Sequence, residues 1–116
     1  MIRTRKIGCA LVALALWPGL AVADATTIAC AQEQGEALGE CEASLERGGT
    51  YDLTVTATFP NGFSRKLYFN GGAFVRANAT MSGVGRDTDW QIKEGLHLIR
   101  VDDQRYEIPY ALISGR

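Results

Sequence analysis

Few residues in this chain carry reactive chemistry. There is one histidine, His97, set between Leu96 and Leu98. Nucleophilic catalysis needs a nucleophile, a base and a group that orients the base. No serine lies in a nucleophile-elbow context, so His97 lacks an evident partner. Two close carboxylate pairs, Asp87 with Asp89 and Asp102 with Asp103, are of the type that hydrolyses glycosides or binds calcium through oxygen. Both pairs sit in turn-like sequence, where aspartate serves local hydrogen bonding. EF-hand spacing is missing. Gly83-Val84-Gly85 lacks the lysine and the strand–helix context of a phosphate loop. The chain is therefore expected not to be an enzyme, with no metal and no cofactor.

The thiols are more informative, because the N-terminus sets their compartment. Arg3, Arg5 and Lys6 precede an apolar stretch over 7–16, Pro18-Gly19 breaks any helix, and Ala21-Val22-Ala23 presents small residues for cleavage. Residues 1–23 thus read as a signal peptide. The stretch is interrupted and short of the roughly 20 apolar residues that a spanning helix needs, so no membrane span is expected after cleavage. Cys9 lies at the start of the apolar stretch and leaves with the leader. Cys30 and Cys41 remain, and in an oxidising compartment they form the one possible intramolecular disulfide. Closing that loop stabilises the fold by about 3 kcal/mol in the loop-entropy picture. The expected location is periplasmic or secreted.

Cleavage also changes the charge. The leader takes three of the 12 basic residues and none of the 13 acidic ones, which turns a net −1 into −4. Asp24, Glu33, Glu36, Glu40, Glu42 and Glu46 all precede Arg47, the first base of the mature chain. Such a chain gains nothing from phosphate backbones, so nucleic acid is excluded as a partner. A basic partner would be attracted; otherwise the acids form a solvated face.

The elements that must position these residues read as strands. Residues 24–40 form an acidic lead-in with a short helical turn over 33–38, and residues 41–116 a β domain. From Cys41 the apolar residues recur with period two: Cys41, Ala43, Leu45; then Tyr51, Leu53, Val55, Ala57, Phe59; then Phe63, Leu67, Phe69 with Arg65 on the same face. Gly48-Gly49, Pro60-Asn61-Gly62, Asn70-Gly71, Glu94-Gly95 and Asp102-Asp103-Gln104 mark turns. Further strands are expected over 73–79, 89–93, 96–101 and 105–108, with a loop over 81–88 and an apolar segment over 110–113 packing on the body. Tyr68 and Phe74 fall on the faces opposite the assigned core. The fold class is all-β: a small antiparallel meander barrel or sandwich of about seven strands.

The run Ile99-Arg100-Val101-Asp102-Asp103-Gln104-Arg105-Tyr106-Glu107-Ile108-Pro109 is the most distinctive part. With Phe59-Pro60-Asn61-Gly62 and Tyr68-Phe69-Asn70-Gly71, it resembles a family of small exported proteobacterial proteins. That resemblance covers most of residues 41–115 and implies a β fold without an assigned activity. A weaker, architectural resemblance is to the periplasmic inhibitors of c-type lysozyme, small disulfide-bearing β-barrels that plug the enzyme's cleft with a Ser-Gly loop and a following basic residue. Met81-Ser82-Gly83-Val84-Gly85-Arg86 is similar, with Trp90 and Lys93-Glu94-Gly95 downstream. The resemblance implies that Ser82 would hydrogen-bond the catalytic carboxylates and Arg86 would pair with one of them. Two features depart from it: Asp87 stands where a tyrosine is expected, and the late cysteine is absent.

The sequence thus points to an exported non-enzymatic module that binds or inhibits a protein or envelope component. Its candidate surface is Ser82, Gly83 and Arg86 in the long loop, with Asp102, Asp103 and Arg105 in the late turn. The alternative is a small-ligand or metal-binding β-barrel, using an aromatic interior or the aspartate turns.

Overall fold

The computed structural model describes residues 24–115. The signal peptide expected at residues 1–23 lies outside the described residues. Eight strands follow in order: β1 (Asp24–Ala31), β2 (Gly39–Arg47), β3 (Leu53–Thr58), β4 (Ser64–Asn70), β5 (Ala73–Ala77), β6 (Thr88–Lys93), β7 (Leu96–Val101) and β8 (Gln104–Pro109). A single helical turn, α1 (Tyr110–Ser114), ends the chain. The strands form one antiparallel sheet in the order β5-β4-β3-β2-β1-β8-β7-β6. The sheet curls into a nearly closed barrel in which β5 and β6 approach each other without a hydrogen-bonded ladder.

Period-two alternation builds the core. Leu53, Val55 and Ala57 of β3 face Arg65, Leu67 and Phe69 of β4 in direct register, and all six are buried. Ile99, Val101, Tyr106 and Ile108 supply the opposite wall. Small Ala43, Ala57 and Ala77 share the core with the rings of Phe59, Phe69 and Tyr106, the mixture of sizes that fills a small barrel. The interior is therefore filled by side chains. Cys30 and Cys41 form the expected disulfide, tying β1 to β2 with both residues buried.

Three expectations are corrected. The lead-in over 24–40 is not peripheral: residues 24–31 form β1, which lies mid-sheet between β2 and β8. Its Ala- and Thr-rich sequence hides the alternation, because the small side chains show little contrast between the two faces. The segment over 33–38 is a turn rather than helical, closed by the Glu36 N–H donating to Glu33 O. Phe74 is buried, not exposed. A register shift between Tyr68 and Phe69 brings it opposite Phe69, with ring centroids 5.8 Å apart. Simple alternation assumes an unbroken ladder, and a bulge reverses the faces beyond it. Tyr68 is half-buried and stacks on Tyr51 at 4.5 Å. The apolar C-terminal segment does pack on the body, as α1, with Ile113 in the core and the Leu112 carbonyl accepting from Arg47 Nη2.

Candidate functional site

The strand directions sort the connections between two ends of the barrel. One end carries the loops over 32–38, 59–63 and 78–87 and the Asp102–Asp103 turn; the other carries α1 and the remaining turns. Both residue sets nominated from the sequence lie at the first, polar end.

Arg65 organises this end. It points inward from β4 and is 4% exposed. Its Nε donates to Gln104 Oε1 at 3.1 Å, its Nη1 donates to the Asn78 carbonyl at 3.1 Å, and its Nη2 lies 3.7 Å from Asp102 Oδ2. The guanidinium also rests 5.3 Å from the centre of the Phe63 ring. Asp102 in turn accepts the Gly85 N–H at 2.7 Å, while its own N–H donates to the Asp87 carbonyl at 2.7 Å. The 78–87 loop is thereby clamped to the β7–β8 turn. Gly85 is required for this: at φ +90, a Cβ there would fall 2.3 Å from the Asn78 carbonyl oxygen and 2.8 Å from Arg65 Nη1.

The loop also has its own internal order. Thr80 O accepts the Gly83 N–H, Gly83 O accepts the Arg86 N–H, and Ser82 Oγ shares a 2.9 Å hydrogen bond with Thr80 Oγ1. Ser82 and Arg86 are exposed. Met81 at the tip is 98% exposed and Val84 50%. These two apolar residues were not among the sequence candidates. Only the clamped loop shows that they point to solvent.

Next to the loop is a polar cavity of about 690 Å³, lined by Glu36, Asp87, Arg100, Asp102, Asp103 and Arg105. A groove of about 480 Å³ continues from it along the outer face of β6, β7 and β8, sharing Arg100 and Arg105. The arginines here are already engaged. Arg100 Nη2 donates to Asp87 Oδ1 at 3.1 Å and sits 3.7 Å from Asp89, and Nη1 donates to the Asp102 carbonyl. The hydrogen bond that Arg100 donates to Asp87 is the main reason its pKa is raised further, against a smaller desolvation cost. Arg105 Nη2 donates to the Glu36 carbonyl. The Glu36 carboxylate accepts the N–H groups of Glu33 and Gln32, which hold its pKa below the usual carboxylate range. Asp103 is exposed at the turn.

The histidine lies elsewhere. His97 faces the core from β7 and is fully buried. Its Nδ1 accepts the Trp90 Nε1–H at 3.0 Å, which leaves the proton on Nε2, and Nε2 has no partner. The ring lies near-parallel to Trp90, which meets its Nδ1 edge, stacks on Tyr110 at 5.5 Å and meets Phe69 edge to face. Desolvation pushes its pKa down. Tyr106, also fully buried, has an unpartnered hydroxyl near Arg65. Burial drives its pKa up against the opposing attraction of Arg65. Among the described residues, no group of three or more His, Cys, Asp or Glu is placed to hold a metal ion, and no helix is long and apolar enough to cross a membrane.

No family model, curated protein or solved structure matches this chain.

Proposed function

We propose that the chain is an exported, non-enzymatic binding module, periplasmic or secreted, that engages a protein or envelope component through its polar end. One observation carries this reading: the Gly85 N–H donates to Asp102, uniting two residue sets that are distant in sequence. Ser82, Gly83 and Arg86 come from the loop, and Asp102, Asp103 and Arg105 from the turn. A loop clamped in advance loses little conformational entropy on binding, which favours recognition by that loop. Met81 and Val84, exposed at its tip, add the apolar contact that an interface core uses. The filled interior argues against a ligand held inside the barrel. The leader and the disulfide support export, since disulfides persist in oxidising compartments.

The resemblance of the loop to the c-type lysozyme inhibitors supplies the partner to test first. The purified protein is titrated into a c-type lysozyme clearing a cell-wall suspension. Dose-dependent inhibition is expected, and Ser82→Ala with Arg86→Ala is expected to abolish it while leaving the circular dichroism spectrum unchanged. Full activity of the lysozyme at a large molar excess of the protein removes this partner. Inhibition that survives the double substitution removes the loop as the site.

A further inference from the structure

Beyond the polar end, we propose that β6 is the contact strand of a symmetric dimer, in which the β6 strands of two copies pair antiparallel about a two-fold axis at Gln91. The two edges of the sheet differ in what they offer. β5 is short, and its ladder with β4 shifts register between Tyr68 and Phe69. Such a bulge turns an edge away from further pairing. β6 runs in unbroken register with β7 from Thr88 to Lys93 and contains neither proline nor glycine. Its residues from Asp89 to Lys93 are all exposed. Trp90 and Ile92 lie on the core side of the sheet, opposite Ile99 and His97, yet are 37% and 47% exposed at the seam where β5 and β6 approach without a ladder. An apolar row beside unpaired backbone N–H and C=O groups is a template for another strand.

A second copy is the occupant whose chemistry fits. An interface across a two-fold axis must be complementary to itself. Antiparallel pairing centred on Gln91 sets Asp89 of one copy against Lys93 of the other, twice, on the outer face. It sets Trp90 against Ile92, twice, on the inner face. A one-residue slip would place outer-face Asp89 opposite inner-face Ile92 and lose both matches. Asp89 already lies 3.7 Å from Arg100, but its side chain is 79% exposed and Asp87 holds Arg100 more closely, at 3.1 Å, so the carboxylate can reach a second cation.

Sedimentation equilibrium over a concentration series tests the proposal, and the purified protein is expected to dimerise. Asp89→Lys and Lys93→Asp each place like charges across both symmetric contacts. Each is expected to weaken dimerisation by about tenfold or more. An equimolar mixture of the two variants restores opposite charges at both contacts and is expected to form a heterodimer of near wild-type strength. Thermal melts of each variant separate lost pairing from lost fold. A protein that stays monomeric throughout overturns the proposal. So does a dimer indifferent to the single substitutions, or a mixture of folded variants that shows no rescue.

Discussion

Arg65 and His97 are both polar, both inward-facing and both almost sealed from water, but the protein treats them in opposite ways. Arg65 spends its guanidinium on Gln104, Asn78 and Asp102, three partners from other parts of the chain. His97 has one partner, Trp90, and leaves Nε2 without any. A buried polar group is stabilising only when its hydrogen-bonding capacity is met; left unmet, it costs roughly 1–3 kcal/mol. The first region is therefore a clamp that orders the loops of the polar end. The second is a weak point, tolerated because stacked aromatic surface encloses it on several sides. A loop held in advance loses less conformational entropy on binding, so the first arrangement suits the recognition proposed for that end.

The largest expected effect comes from breaking the clamp. Arg65→Met keeps much of the volume but strands the half-buried Asp102 carboxylate and the Asn78 carbonyl. A loss of about 3 kcal/mol is expected, read as a lower denaturation midpoint. If the clamp view is right, hydrogen exchange in residues 78–87 should rise more than in β2 and β3. Uniform loosening would instead make Arg65 an ordinary core residue.

A smaller effect, with a distinct pH signature, is expected at His97. Burial lowers its pKa in the folded state, while the unfolded chain keeps the ordinary 6.5. Below that pH the unfolded state binds more protons, so stability rises with pH there. The contribution of the neutral imidazole is complete above pH 6.5 and is lost as pH falls through 6.5 toward the lower folded value. Glu36, also lowered, acts only below its ordinary value of 4.5, so the two windows separate. Melting temperature should be level between neutrality and about pH 9, below the ordinary tyrosine range, and decline below pH 6.5. His97→Phe should flatten the decline between pH 6.5 and 5. An unchanged decline in that variant would assign the sensitivity to another group.

Tyr106 gives the smallest effect and the sharpest control. Its hydroxyl is as deeply buried as Arg65 but has no hydrogen-bond partner. Tyr106→Phe removes an unsatisfied polar atom without opening a cavity. Stability within about 1 kcal/mol of the parent is expected, on the stabilising side, by denaturant titration. A large loss would show that the hydroxyl belongs to the Arg65 network after all.

Much of the barrel was legible in the chain. Leu53, Val55 and Ala57, and Arg65, Leu67 and Phe69, declare their shared face through period two alone, and the structure buries all six. Arg65 could be assigned to the core face in this way, but not its role, because Gln104 and Asp102 are remote in sequence. Phe74 was misplaced since nothing local announces the register shift before it. β1 was missed because Ala25, Thr26, Thr27, Ala29 and Ala31 carry too little contrast between faces to show a strand, although the pairing on both sides makes it one. In the sequence, Ser82, Gly83 and Arg86 stand apart from Asp102, Asp103 and Arg105. That they share one end of the barrel follows from strand direction and closure.

The sequence by itself determined the class of the fold, the positions of most turns and the pairing of Cys30 with Cys41. These depend on short-range properties: the two-residue repeat of a strand, the backbone freedom of turn residues, and the presence of two thiols, Cys30 and Cys41, outside the apolar N-terminal stretch. Only the tertiary structure decided which strands stand at the edges, which way Phe74 faces, and that Gly85 reaches Asp102. Each of these depends on register and closure across the whole sheet. A ladder sums many weak contacts between distant residues, and no local window of the chain contains that sum.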